Sequence, residues 1–277
     1  MRNNRVRGVR GVPGRLVWLV IVGAMSASAA AAQPRPSATR TAPEIASDRP
    51  GFNAPAAVVP RGAVHLELGW AHSGGDDEHS DAPEPLLRLG VHRRLEVQVG
   101  GLGFETWCTT GCAWVASDLT VGARHVLPVE PLGTTLAITG AVLLPIGHHA
   151  VTAGHAEPTT ILHADRDVGG GFNLSYNYVW TREHGEDDRG HARHGHGFSV
   201  ERESGAWTPY VGFARRPMRD DDGVPWVGQV GTTWRLAADV QLDVTVDIGL
   251  TRAEPSWGVS GGVVVRRRPV DRIGRAQ

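Results

Sequence analysis

Residues 62–70, GAVHLELGW, alternate strictly along the chain. Val64, Leu66, Leu68 and Trp70 fall on one side of an extended backbone, and Ala63, His65, Glu67 and Gly69 on the other. A period of two marks a strand with one apolar and one polar face. The pattern recurs to the end of the chain and is clearest at 239–250, where Val240, Leu242, Val244, Val246, Ile248 and Leu250 oppose Gln241, Asp243, Thr245 and Asp247. It predicts about twelve strands, over 61–71, 86–92, 94–104, 115–127, 134–145, 158–166, 171–180, 197–203, 206–214, 225–235, 239–250 and 256–265. A phase slip at Gly100-Gly101 reads as a bulge or bend within the third. No stretch carries a convincing amphipathic-helix pattern, so the predicted class is all-β.

The apolar faces need a partner, which is either a protein core or lipid. Several strands run about ten residues, the length a tilted strand needs to cross a bilayer. The connections sort by parity. After odd strands they are long, at 72–84, 105–114, 146–157, 181–197 and 215–224; after even strands they are short, near 93 and at 128–132, 167–170, 204–205 and 236–238. The short link 251–255 breaks the rule. Long loops at one end and tight turns at the other are the habit of outer-membrane barrels. The alternative, a soluble sandwich, would have to carry one continuous polar face across all its strands. The expected architecture is therefore an antiparallel up-and-down transmembrane β-barrel over 60–267, with lipid against its apolar face. Closure would satisfy every strand edge where no water can. Trp70, Trp107, Trp114, Trp180, Trp207, Trp226, Trp234 and Trp257 lie mostly near strand ends, which suits rings at a lipid–water interface as well as ordinary packing.

Composition adds the chain's destination. Residues 1–32 hold five arginines and no acid, then the apolar run LVWLVIVGAM, then small residues ending at Ala32. This is the layout of a cleaved signal peptide, and the apolar run is too short to span a bilayer comfortably. Residues 33–59 form a proline- and alanine-rich leader that docks near Asp48-Arg49-Pro50, and 268–277 form a tail. Without residues 1–32 the formal charge is −6 instead of −1, which gives no basis for nucleic-acid binding. All 28 basic residues are arginine. Cys108 and Cys112 bracket Thr-Thr-Gly, and in an exported chain a disulfide across a hairpin tip fits them; a two-thiolate metal site is the alternative.

Candidate chemistry falls into two sets. The inward-facing polar set comprises His65, Glu67, Arg88, Glu96, Gln98, Asp118, Arg124, Asn173, Asn177, Gln229, Arg235, Asp243 and Asp247. Mixed charges lining a lumen set a pore's selectivity; equally, side chains can pair with one another and plug a small barrel. The second set is the histidine in the long loops, at His72 and His79, at His148, His149 and His155, and at His184, His191, His194 and His196. With neighbouring acids these are weak candidates for Zn²⁺, Cu²⁺ or Ni²⁺, the last four above all; a merely solvated loop is the competing reading. No cofactor motif and no nucleophile–base constellation is present.

The segment SDRPGFNAPAAVVPRGAVHLELGW resembles the opening of the phenol-degradation meta-pathway (MetA-like) transporter family of Gram-negative bacteria. The resemblance rests on Asp48, Arg49 and Pro50, on the step Val59, Pro60 and Gly62 into a first strand carrying Glu67, and on LLRLGVHRRLEVQV, SDLTVGARHVL and LLPIG further on. It covers most of residues 45–267. Arg124 stands where the family usually has lysine, and the chain continues past its last strand with RRRPVDRIGRAQ, so it lacks the terminal aromatic of many outer-membrane barrels. The resemblance implies an outer-membrane transporter. The expected function is thus a monomeric channel for passive passage of small solutes, with the bilayer and the solute as its partners; aromatic solutes are suggested by the family resemblance alone. The alternatives are a non-conducting surface barrel whose His/Asp-rich loops bind metal or a partner, and an outer-membrane lipid hydrolase.

Overall fold

The computed structural model describes residues 45–49, 51–75, 78–108, 112–184, 189–217 and 223–268. Residues 1–44, with the expected signal peptide, and the end of the tail lie outside them. Fifteen strands follow in chain order: β1 Val64–Gly74, β2 His79–Asp81, β3 Leu86–His92, β4 Leu95–Gly101, β5 Phe104–Cys108, β6 Cys112–Ala116, β7 Leu119–Val126, β8 Thr135–Leu144, β9 Glu157–Gly169, β10 Phe172–His184, β11 Gly190–Arg202, β12 Trp207–Arg215, β13 Trp226–Ala237, β14 Val240–Gly249 and β15 Trp257–Arg267.

Twelve of them close into an antiparallel barrel. The order is β1-β3-β4-β7-β8-β9-β10-β11-β12-β13-β14-β15, and β15 pairs back onto β1 from Val64↔Arg267 to Gly74↔Trp257. The remaining three, β2, β5 and β6, form a ribbon hung from the end of β1. These twelve are the strands the alternation predicts. The ribbon is not predicted, and it corrects the reading of 94–104 as one strand. Gly101 and Leu102 take φ of 79° and 56°, so β4 stops there and the chain turns out of the wall into β5.

The burial pattern is inverted relative to a water-soluble protein. The largest fully buried side chains include Arg88, Arg124, His65, His163, Glu67 and Glu96. Leu66, Leu68, Leu87, Leu89, Val97, Val99, Val121, Ile138, Leu162, Val244 and Val246 stand exposed on the outer face. That much apolar surface is stable only against lipid. Trp207 and Trp234 stack at 5.1 Å at the outer edge of the short-turn end, while Trp226 and Trp257 begin β13 and β15 at the other end. Rings at two levels match the two interfaces of a bilayer. Tight turns at 93–94, 170–171, 203–206 and 238–239 collect at one end; 75–85, 102–118, 145–156 and 250–256 collect at the other.

Candidate functional site: a lumen filled by its own leader

Residues 45–49 and 51–59 run inside the barrel. Ile45, Ala56 and Val59 are buried at 3%, 0% and 0% exposure. A proline- and alanine-rich stretch builds no ladder of its own, yet its buried backbone groups still need partners. The inward polar positions of the wall supply them. Glu67 accepts from the backbone N–H of Asp48 and Arg49 at 3.1 and 3.2 Å, Gln229 from Phe52 at 3.2 Å, Asp165 from Ala56 and Glu96 from Val59 at 2.6 Å each. In the other direction Arg88 donates to the Ala46 carbonyl at 2.7 Å and Asn177 to that of Ala54 at 3.0 Å.

The charges gather on one wall. Arg88, from β3, reaches Glu96 on β4 at 2.9 Å, Asp48 at 3.0 Å and Glu67 on β1 at 3.1 Å. Arg124, from β7, holds Asp48 with two bonds of 2.8 and 2.7 Å and the Thr139 hydroxyl at 3.1 Å. The Thr139 hydroxyl lies 2.8 Å from His163, whose other ring nitrogen is 3.0 Å from the Ala54 carbonyl. The two guanidiniums share three carboxylates, one of which, Asp48, comes from the leader. A buried charge left without its partner is expensive, so this cluster fixes where the leader sits.

Arg49 crosses the closing seam of the barrel. Gly69 on β1 and Gly262 on β15 are directly paired, and a Cβ on either would collide with its guanidinium. These two glycines make a slot in the wall. From it Arg49 donates to the Gly261 carbonyl at 3.0 Å, pairs with Glu84 at 2.8 Å and lies 3.5 Å from Asp243.

The opposite wall is looser. Gln229 bridges Phe52 to Asp247, Gln241 donates to Ser47 at 2.8 Å, and Tyr210 bonds Thr245. A cavity of about 320 Å³ opens there, lined by Asn53, Asp165, Asn173, Glu201, Tyr210 and Gln229. Towards the long loops two larger cavities of about 540 and 550 Å³ flank Arg49 and Glu84. Arg49, Gly51 and Gln229 line both the 320 Å³ and the 540 Å³ cavities. The two cavities therefore adjoin at these three residues. The outer mouth is acidic, with Asp81, Glu84, Glu105, Asp118, Asp247 and Glu254 against Arg49 and Arg216. Burial pushes the Glu105 and Glu254 carboxyls above the usual range; Asp81 adds to the shift at Glu105, and Arg216 opposes it at Glu254.

The expected lumen residues divide by this geometry. His65, Glu67, Arg88, Glu96, Gln98, Arg124, Asn173, Asn177, Gln229, Asp243 and Asp247 lie on inward faces, many of them engaged with the leader instead of open water. Asp118 is placed differently. It sits between β6 and β7, where its carboxylate accepts from Gly147 N–H, Thr152 Oγ1 and Ala153 N–H at 2.7 to 2.9 Å and so ties down the loop after β8. Arg235 reaches the short-turn rim and donates to the Gly205 carbonyl. Cys108 and Cys112 are paired in the β5–β6 register, and Cys112 is disulfide-bonded.

The four loop histidines are corrected. They belong to a hairpin paired as far as His184↔Gly190, not to a free loop. His194 and His196 point outward and meet the Tyr178 and Tyr176 hydroxyls at 2.6 and 2.8 Å, whereas His191 pairs across from Glu183 on the inward parity. Alternation along β11 thus separates His191 from His194 and His196, and among the described residues the four do not converge on one ion. Thr139, His163, Asp165, Glu201 and Tyr210 are missing from the sequence reading, although each occupies the inward parity of its strand; Gln241 and Thr245 are read there on the polar face of 239–250 but not among the candidate lumen residues.

No protein-family model matches the sequence, and no curated protein matches it. Its likeness is to solved structures. The COG4313 outer membrane channel from Pseudomonas putida F1 superposes with a TM-score of 0.60 at 14% identity, over 79% of this chain and 99% of that one. The chain has the fold of an outer-membrane β-barrel. The KdgM porin follows at a TM-score of 0.49 and 9% identity, over 72% of this chain and 98% of its own. The CymD monoaromatic hydrocarbon channel gives 0.40 at 9%, over 75% and 88%.

Proposed function

We propose that the protein is a monomeric, passive channel of the outer membrane for small solutes, with residues 45–59 as its constriction. The observation that carries this reading is the meeting, at Arg49, Gly51 and Gln229, of cavities that open towards opposite ends. A barrel built only to be closed would be packed through; this one is ion-paired around Asp48 on one side and carries cavities towards both ends. The long loops face the exterior, following the habit of such barrels, and the acidic mouth favours neutral or cationic solutes over anions. The family resemblance suggests aromatic solutes. A cavity of about 150 Å³ already holds benzene, so the size of these cavities suits a single ring bearing polar groups.

The test is single-channel conductance of the mature chain in a planar bilayer, paired with swelling of liposomes in phenol or small sugars. Small discrete steps that favour cations, with swelling in phenol, support the reading. A folded barrel that neither conducts nor swells in any solute overturns it and favours the surface-binding alternative.

A further inference from the structure

We infer that the ribbon at the long-loop mouth carries a binding site for a first-row divalent metal ion, zinc foremost, made by His79, Asp81 and Glu105. Their ligand atoms all lie within 4.8 Å of one another. His79 Nε2 is 3.2 Å from Asp81 Oδ2 and 3.7 Å from Glu105 Oε2. A tetrahedral shell with bonds of about 2.0–2.1 Å has edges of about 3.4 Å, so the two edges at His79 stand near the spacing one ion would impose, and the third lies within 4.8 Å.

Backbone geometry produces this convergence. His79 and Asp81 are two apart on β2 and share a face, and Asp81 pairs directly with Glu105 on β5. Cross-strand partners point the same way, and two like charges in that position repel. The ribbon nevertheless holds them together. Ser80 N–H donates to Thr106 Oγ1 and Ala82 N–H to the Phe104 carbonyl, both at 2.8 Å, on either side of Asp81. The histidine side chain is 45% exposed, which leaves a position for water as the fourth ligand. One imidazole with two carboxylates suits zinc and its neighbours, whereas Ca²⁺ and Mg²⁺ take oxygen donors only. Asp81 lines both outer cavities, so a bound ion would join β2 to β5 and offset part of the acid at the mouth.

The experiment is calorimetric titration of Zn²⁺ into the mature, untagged barrel folded in detergent. One saturable site per chain is expected, weakened at least tenfold by His79→Ala or Glu105→Gln and unchanged by a combined His184→Ala, His194→Ala and His196→Ala variant. Equal binding by wild type and the ribbon variants, or loss only in the combined variant, overturns the site. Co²⁺ added to the wild-type barrel needs no substitution: intense visible absorption reports a four-coordinate ion, and the weak spectrum of hydrated cobalt overturns the proposal. Neither readout involves conductance, so failure here leaves the channel reading standing.

Discussion

The two walls of the lumen hold the same segment by different means. On the β1–β8 side, Arg88 and Arg124 pair with Asp48 between the buried carboxylates of Glu67 and Glu96. On the β9–β14 side, Asn177, Gln229 and Gln241 hold it through single hydrogen bonds beside a cavity of about 320 Å³. Charge fixes position strongly because the cost of a mismatch is large. Neutral bonds contribute about 1 kcal/mol each and can be exchanged for water. The first wall is an anchor, and in the proposed channel the second is the side along which a solute would pass.

The largest effect expected is from removing the segment. Deletion of residues 45–59 erases the difference between the walls, and single-channel conductance should rise several-fold; an unchanged step size would mean that the constriction lies elsewhere. Asp48→Asn comes next. It leaves Arg88 and Arg124 short of an anion, and loss of a buried partner costs about 3–5 kcal/mol. It should lower the urea midpoint clearly and make conductance noisy as the segment loosens. Asp247→Asn acts on the open wall, where Asp247 lines the cavity of about 540 Å³, so it should reduce cation preference in reversal-potential measurements without shifting the urea midpoint downward. Gln229→Ala should do least to stability, costing about 1 kcal/mol, while raising conductance modestly because it trims a side chain where the two cavities adjoin. If Gln229→Ala destabilised more than Asp48→Asn, the assignment of anchor and passage would be reversed.

The fold was legible because a barrel is specified by a local rule. Strands such as 239–250 and 86–92 announce inside and outside in their own residues, and the sorting of loop lengths supplies the closure. The ribbon was hidden because β2 has three residues and the break at Gly101-Leu102 looks in sequence like a bulge. The filling of the lumen was only half legible. Alternation places Glu67, Arg88, Glu96 and Arg124 inward, but it cannot say that their partner is Asp48, which lies outside any periodic segment. The histidines at 184–196 misled for a related reason: residues grouped in sequence are separated by strand parity, while His79, Asp81 and Glu105, 26 residues apart, are brought together by register.

The slot formed by Gly69 and Gly262 has a consequence for biogenesis. These glycines belong to the first and last strands of the wall, and the arginine between them belongs to the segment just ahead of the first strand. The seam that finishes the cylinder therefore closes around that side chain. In such a chain the wall and its filling share one lock, so fastening the cylinder and seating the leader are coupled, not independent, acts of assembly.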